Sequence, residues 1–372
     1  MMNWQPVALA MLAAAAPAAA QQRPVLISAT PVAGAPDGAR AFRIVYNTRT
    51  GDGIAAQATG LVIVPTGRVP AEGRNVVAWT HGTVGIDDAC APSTNSFRFS
   101  IIAGLEPMLR RGMVVVAPDY IGLGSAGVHP YLVGVDTGQA VLDAVRAAHA
   151  MPRAQTGRRF AVWGESQGGH AALWTGQLAA RYAPELQLVG VAASAPATDL
   201  VANITGSKNA AVRALMTTYA GVSWSTRYGV PLSTIARPVG QDLMRRLAKN
   251  CVTLDGFKLG TKIGLARMTY VLRDVDLAAN PRWGPLMRQN SVEPRALGAP
   301  LLIAQGSADV IVGPEVTADF VRRQCRQGDR LRFIRVEGGD HITIAQRTAT
   351  ETVGWLADRF DGRPAPDDCG QL

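Results

Sequence analysis

The stretch VWGESQGGH, residues 162–170, decides the fold of this chain. A strand-like segment (RFAVW, residues 159–163) leads into it, and a helix-like segment (residues 168–182) follows. Between them, G-x-S-x-G predicts a sharp strand-to-helix turn, in which glycines leave space and Ser166 is held in a strained conformation. A glycine-rich turn that only packs tightly is the alternative interpretation. The matching context on both sides favours a serine nucleophile for acyl transfer.

A nucleophilic serine needs a base, and the chain has five histidines. In sites built on this turn the residues follow the order Ser, then Asp or Glu, then His, which excludes the three histidines that precede the serine. His170 lies one helical turn after Ser166, where it cannot easily face back to the hydroxyl. His341 remains, in the loop EGGDH between strand-like residues 331–336 and helix-like residues 342–360. It is the predicted general base, with a helix-cap or surface histidine as the alternative.

The carboxylate that orients this base is predicted at Asp309, after the apolar, strand-like residues 299–305. Its role would be to fix the imidazole tautomer and to stabilise the imidazolium. Asp340 is a rival, although its position next to His341 is more typical of a loop or N-cap residue. Glu315 is a second rival, in the predicted first turn of the next helix.

Acyl transfer also needs hydrogen-bond donors for the developing oxyanion. The first predicted donor is the backbone amide of Gln167, the residue after the serine. The second is expected in the loop THGT (residues 80–83), after strand-like residues 75–79, and Thr83 is the predicted donor. Gly82 and Gly85 are alternatives, as is an ordinary strand–loop turn.

Together these motifs resemble the secretory lipase family within the α/β-hydrolases. The matching pieces lie within residues 75–345: HGT at 81–83, CAPS at 90–93, PDYIGLG at 118–124, HPY at 129–131, the serine turn, and the loops with Asp309 and His341. The resemblance implies ester hydrolysis by a triad of Ser166, Asp309 and His341, on substrates from triacylglycerols to simple acyl esters. Such chemistry needs no metal or organic cofactor. Gln167 and the loop near Thr83 depart from the fungal members, which leaves the second oxyanion donor and the substrate preference open.

The chain has four cysteines, and none forms a C-x-x-C pair of the kind typical of zinc or redox sites. Four cysteines allow three pairings. The resemblance implies the disulfides Cys90–Cys251 and Cys325–Cys369, and four buried free thiols are the alternative. The first bond would tie the loop beyond the oxyanion strand to an insertion, and the second would pin the C-terminal tail to the helix after Asp309.

The N-terminus has the pattern of a secretion signal, which predicts a secreted or periplasmic protein. Residues 7–20 are almost all apolar, and the alanines at 18–20 resemble a signal-peptidase site before Gln21. No Lys or Arg precedes Arg23, so a membrane-retained anchor is the alternative, although the stretch is short for a bilayer span.

The composition fits a large core, because 48% of the 372 residues are hydrophobic and only 17% are charged. Strand-like and helix-like runs alternate between about residues 58 and 195, and the pattern resumes at residue 299. This alternation predicts a mostly parallel central sheet flanked by helices, with an inserted helical cap, and the serine turn and the family resemblance imply an α/β-hydrolase fold. The predicted parts are a signal peptide at 1–20, a core at 21–199 and 291–372, and a cap at 200–290.

The predicted cap is strongly basic. Residues 201–290 hold thirteen Lys and Arg but only four Asp and Glu, an excess equal to the net charge of +9 of the whole chain. This charge favours a transient contact with an anionic lipid interface or an anionic substrate, and a solvated basic face is the alternative. No nucleic-acid-binding motif accompanies it.

Six large apolar residues of the predicted cap would line an acyl pocket or form the core of the cap. They are Leu215, Met216, Trp224, Tyr228, Trp283 and Met287.

The leading hypothesis is a secreted lipase or carboxylesterase that acts on a small-molecule or lipid ester through an acyl-enzyme. A peptidase or acyltransferase with the same triad is second, although the sequence shows neither the leaving-group protonation nor the water exclusion that these reactions demand. A non-catalytic binding protein on a hydrolase fold is third, and the intact Ser, Asp and His argue against it.

Overall fold

The computed structural model describes residues 25–207, 209–252 and 259–372, and these residues are built around a nine-stranded sheet. The predicted signal peptide, residues 1–20, lies outside the described residues. The strands are β1 (Leu26–Val32), β2 (Ala39–Arg49), β3 (Ala55–Pro65), β4 (Arg74–Thr80), β5 (Val114–Ile121), β6 (Thr156–Glu165), β7 (Gln187–Ser194), β8 (Leu301–Gly306) and β9 (Leu331–Val336).

The sheet is mixed but mostly parallel. Its order is β1-β2-β3-β5-β4-β6-β7-β8-β9. The last six strands in this order, β4 to β9 by number, run parallel to one another. Strands β1, β2 and β3 pair antiparallel with one another, and β3 pairs antiparallel with β5. The mostly parallel sheet confirms the sequence prediction, whereas β1 and β2 lie before the segment on which that prediction rested.

Helices cover both faces of the sheet. Because successive side chains of a strand point to opposite faces, Phe160 and Val162 of β6 belong to one core cluster and Ala161 and Trp163 to another. Helices α2, α3 and α9 contribute to the first cluster, and α1, α10 and α11 to the second. Their bounds are α1 (Leu105–Arg110), α2 (Gly134–His149), α3 (Gln167–Tyr182), α9 (Pro314–Cys325), α10 (Ile344–Arg347) and α11 (Ala349–Phe360).

Between β7 and β8, the described residues form helices and no strand. The large apolar residues here pack on one another, since Trp224 and Trp283 are both fully buried and their rings stack 6.4 Å apart. Met216 and Met287 are buried in the same cluster, and Leu215 and Tyr228 pack against it, so these residues form a local core. The division into core and cap stays a prediction. The helices are α4 (Leu200–Thr205), α5 (Ala210–Tyr228), α6 (Pro238–Ala248), α7 (Leu259–Val271) and α8 (Gly284–Asn290).

Two disulfide bonds join distant parts of the chain. Cys90 pairs with Cys251 and Cys325 with Cys369, at Cα–Cα distances of 5.2 and 5.4 Å, which is the pairing that the family resemblance implies. Within the described ranges, no helix has both the length and the apolar character needed to cross a bilayer.

Candidate active site

Ser166 lies at the sharp turn between β6 and α3, in a conformation that L-residues rarely adopt. Its φ and ψ are 55° and −120°, so the backbone here is strained. A Cβ on Gly164 would overlap the Thr80 hydroxyl, and one on Gly168 would overlap the Thr80 carbonyl oxygen. The Ser166 amide donates to the carbonyl of Ser194 on β7 (2.9 Å). The neighbouring strands thus hold the turn that the two glycines permit.

Three side chains meet at the carboxyl ends of parallel strands. The Oγ atom of Ser166 lies 2.8 Å from Nε2 of His341, and Nδ1 of His341 lies 2.8 Å from Oδ2 of Asp309. Since a carboxylate only accepts, Nδ1 carries the proton and Nε2 is left to accept from the serine hydroxyl. The side chains of His341 and Asp309 are 8% and 0% exposed, so the pair is shielded from water.

The Asp309 carboxylate is held by several donors. Its Oδ1 accepts from the amides of Ile311 (2.8 Å) and Val312 (2.9 Å), and Oδ2 accepts from Nε2 of Gln305 (3.0 Å). Burial raises the pKa of Asp309, but the bonds from His341 and the two amides outweigh this effect and leave the pKa below its usual value. The carboxylate is therefore ionised and fixed in orientation at neutral pH.

The rival residues have other partners. Asp340 is solvent-exposed and accepts from the amide and hydroxyl of Thr343 (both 2.8 Å), as an N-cap residue does. Glu315 is exposed in the first turn of α9. His170 is buried and its Nε2 lies 2.7 Å from the carbonyl oxygen of Asn290. Of the three candidate acids, only Asp309 is within hydrogen-bond distance of His341.

The loop after β4 runs beside the serine turn. A Cβ on Gly82 would lie 3.6 Å from both Cγ and the carbonyl oxygen of Glu165, so the loop contacts the residue before Ser166. Within the part of the chain that the structure describes, the amides of Thr83 and Gln167 donate no hydrogen bond to protein. Gly85 instead faces the Cys90–Cys251 disulfide. The assignment of Thr83 and Gln167 as oxyanion donors stays a prediction, and both amides are free to serve.

One residue at the site had no predicted role. Glu165 immediately precedes Ser166, and burial raises the pKa of its carboxyl to about 7, although a charge on His341 acts in the opposite direction. Its place inside the serine motif is the sequence signal that could have drawn attention to it.

A cluster of buried polar residues at the end of β5 contacts the loop after β4. Asp119, at the end of β5, accepts from the Thr59 hydroxyl (2.6 Å) and the Ser93 amide (2.8 Å), and burial raises its pKa. The Tyr120 hydroxyl donates to the carbonyl of His81 (3.2 Å), in the loop after β4 that contains Thr83. These contacts give Asp119 and Tyr120 a structural role at the end of β5.

Comparison with known proteins identifies the family. The profile described as "Secretory lipase" matches residues 96–368, a range that contains all three residues of the Ser166–His341–Asp309 chain. The chain belongs to the secretory lipase family. Membership in this family, together with two disulfide bonds, agrees with the predicted export, because disulfides persist in oxidising compartments outside the cytosol.

Individual relatives of this family member are distant. It is 27% identical over 288 residues to Lipase 5 of Candida albicans, an alignment that covers 72% of this chain and 59% of that relative. The chain thus spans about three fifths of the Candida lipase. It is 22% identical over 349 residues to a probable inactive lipase of Mycobacterium tuberculosis, covering 89% of this chain and 76% of that one.

The fold has a close match among solved structures. The X-ray structure of Candida antarctica lipase A matches with a TM-score of 0.74 at 19% sequence identity, covering 93% of this chain and 84% of that one. This likeness confirms the predicted α/β-hydrolase fold.

Proposed function

We propose that the protein is a carboxylic ester hydrolase of the lipase or carboxylesterase type, acting through Ser166, His341 and Asp309 and an acyl-enzyme. The observation that carries this proposal is the unbroken hydrogen-bond chain from the Ser166 hydroxyl to the Asp309 carboxylate, at 2.8 Å for each bond. Family membership supports the chemical class. Since one relative is named a probable inactive lipase, activity rests on these side chains rather than on membership alone.

In the first half of the reaction, His341 accepts the proton of Ser166 as the hydroxyl oxygen attacks the ester carbonyl carbon. The imidazolium is stabilised by the ionised Asp309. Negative charge develops on the carbonyl oxygen, where the amides of Thr83 and Gln167 would donate to it. His341 then protonates the departing alcohol and leaves an acyl group on Ser166.

In the second half, a water molecule takes the place of the alcohol. His341 removes a proton from this water, which attacks the acyl carbonyl carbon, and the same two amides stabilise the second oxyanion. Collapse releases the carboxylic acid and returns the proton to Ser166. No step requires a group beyond the residues named and water.

The helices between β7 and β8 are proposed to act as a cap, residues 200–290, on a core formed by residues 21–199 and 291–372. Their own apolar cluster, built around Trp224 and Trp283, supports a unit that packs internally. The substrate proposed for the site below is an acyl ester, including lipid esters.

The outer surface of α7 supports a transient contact with an anionic lipid interface. Leu259, Ile263 and Tyr270 are 74%, 50% and 67% exposed, and their spacing of four and seven residues places them on one helix face. The exposed cations Lys262 and Arg267 lie on the same helix. Exposed apolar side chains beside positive charges favour contact with an anionic membrane surface.

Vesicle binding tests this contact. Ile263→Ser combined with Tyr270→Ser should reduce binding to vesicles of anionic phospholipid at least severalfold, and added salt should weaken wild-type binding. Ile54→Ser, which removes a side chain that is 63% exposed on the β2–β3 turn, is the matched control and should bind as wild type. Wild-type binding that is insensitive to salt, or equally strong in the double variant, would reject the proposal.

The proposed activity is tested by labelling and turnover. A fluorophosphonate should modify Ser166, and Ser166→Ala should lower ester turnover by roughly 10⁴- to 10⁶-fold. Ser100→Ala, at an exposed serine, is the matched control. p-Nitrophenyl esters of increasing chain length, an emulsified triacylglycerol, an anilide and an added alcohol acceptor separate esterase, lipase, peptidase and acyltransferase activities. Full ester turnover in Ser166→Ala would overturn the proposal.

A further inference from the structure

The segment His129-Pro130-Tyr131 has no role in the mechanism above, yet it lies directly beside the proposed oxyanion donors. It belongs to the connection between β5, which ends at Ile121, and α2, which begins at Gly134. His129 and Tyr131 are 0% and 2% exposed, so their polar atoms must find partners inside the protein.

His129 contacts the residue that follows the nucleophile. Its Nδ1 lies 3.1 Å from the carbonyl oxygen of Ile121, and its Nε2 lies 2.6 Å from Nε2 of Gln167. Because a carbonyl only accepts, Nδ1 carries the proton and Nε2 accepts from the Gln167 side-chain amide. Burial, with a smaller effect of His81, lowers the pKa of His129 to about 3, so the ring stays neutral and keeps this lone pair.

Tyr131 contacts the other side of the proposed oxyanion hole. Its hydroxyl lies 2.9 Å from the hydroxyl of Thr83, in the loop after β4. Two side chains of one three-residue segment therefore bind the two residues whose amides are proposed to hold the oxyanion. Thr83 and Gln167 themselves belong to separate elements, the loop after β4 and the first residue of α3, and lie 84 positions apart in the sequence.

The cap helix α5 holds this segment from the opposite side. The Ser223 hydroxyl accepts from the Tyr131 amide (2.8 Å) and donates to the His129 carbonyl (2.8 Å). The indole of Trp224 donates to the Tyr131 carbonyl (2.8 Å). The Tyr131 amide and the carbonyls of His129 and Tyr131 thus bond to α5, whereas the side chains of the two residues bond to Gln167 and Thr83.

We propose that His129 and Tyr131 are positioning residues, which set the spacing of the Thr83 and Gln167 amides and link it to the cap helix α5. An oxyanion hole acts through donors that are fixed before the reaction. A small displacement of either amide should therefore lower kcat and leave KM almost unchanged. This inference rests on the proposed ester hydrolase activity. It adds two residues, His129 and Tyr131, that hold the proposed oxyanion hole in place before the reaction.

Conservative variants separate positioning from simple structural support. Tyr131→Phe removes only the bond to Thr83, and Gln167→Met removes the bond to His129 but keeps the backbone amide. Each should lower kcat about tenfold, with KM changed less than twofold. The affinity for an alkyl boronic acid, whose tetrahedral adduct places an oxygen in the oxyanion hole, should fall in parallel with kcat.

A matched control and a double variant complete the test. Tyr46→Phe removes another buried tyrosine hydroxyl, bonded to the Ala140 carbonyl (3.0 Å), and should lower the melting temperature without changing kcat. The double variant Tyr131→Phe with Thr83→Val should lose no more activity than either single variant, because both substitutions remove the same hydrogen bond. Unchanged kcat in Tyr131→Phe and Gln167→Met, or a lower kcat with unchanged boronate affinity, would overturn the inference.

The outcomes also separate this inference from the proposed function. If the wild-type protein hydrolyses esters and Ser166→Ala does not, but the Tyr131 and Gln167 variants keep full kcat, only the positioning role fails. If Ser166 is neither labelled nor required for turnover, the proposed function itself fails.

Discussion

Arg227, in the last turn of α5, forms a two-point ion pair with Asp136, in the first turn of α2. The Nε–Oδ2 and Nη2–Oδ1 distances are 2.6 and 3.2 Å. The Asp136 side chain is 1% exposed and also accepts from the Gly51 amide (2.7 Å), whereas Asp52, the second partner of Arg227, is half exposed. One arginine therefore joins the predicted cap to the core and to the β2–β3 turn.

Removing this arginine should leave a buried carboxylate without its counter-charge. We expect Arg227→Met to lower the free energy of unfolding by about 3 kcal/mol, the lower end of the range for broken buried pairs, because the guanidinium is partly exposed. Arg245→Met, which breaks an exposed pair with Asp242, should cost less than about 1 kcal/mol. Urea unfolding of both variants measures the difference, and equal losses would contradict the assignment.

The identity of the acid is testable by a pair of matched substitutions. Asp309→Asn keeps the shape of the side chain but favours the wrong imidazole tautomer, so kcat should fall about 10⁴-fold. Asp340→Asn changes an exposed residue that contacts Thr343 and should leave kcat within about twofold of wild type. Steady-state ester hydrolysis distinguishes the two, and the opposite pattern would assign the acid to Asp340.

The residues of the candidate site could be predicted because each lies in a local pattern with a known position in the fold. The two glycines around Ser166 are required by contacts with Thr80, and such steric requirements are visible as a short motif. Asp309 and His341 follow apolar strands, and the carboxyl ends of parallel strands share one edge of the sheet. Chain order was therefore enough to place all three side chains together.

Other features depend on contacts between distant loops, which local patterns do not report. The bonds from His129 to Gln167 and from Tyr131 to Thr83 join elements 38 and 48 residues apart. One helix also differs from its prediction: the pattern over residues 342–360 predicts a single helix, but the structure has two, α10 and α11, separated at Thr348. The backbone of Thr348 departs from helical values (φ −99°, ψ 2°), although its amide and its hydroxyl both donate to the Ile344 carbonyl (3.1 and 2.8 Å).

The two disulfides should differ in their effect on activity. Replacing Cys325 and Cys369 with Ser removes a link across 44 residues and should cost stability, by about 4 kcal/mol on chain-entropy grounds, but leave kcat unchanged. Replacing Cys90 and Cys251 should also lower kcat, because Val252 donates to the Val84 carbonyl (2.9 Å) beside Thr83. Thermal unfolding and ester turnover check both pairs. Equal kcat in the two double variants would contradict a link between the first disulfide and the oxyanion loop.

Glu165 should make the stability of the protein depend on pH. Burial raises its pKa from the ordinary value of 4.5 to about 7, so between these values the folded carboxyl holds a proton that the unfolded chain has released. The stabilisation is therefore complete below pH 4.5 and is lost as the pH rises through 7. Relative to wild type, Glu165→Gln should gain at most about 3 kcal/mol of unfolding free energy between pH 4.5 and 8. Urea unfolding across this range measures the gain, with Glu72→Gln, at an exposed glutamate, as the control for net charge. A difference between Glu165→Gln and wild type that does not change with pH would show that this carboxyl is not perturbed in the folded protein.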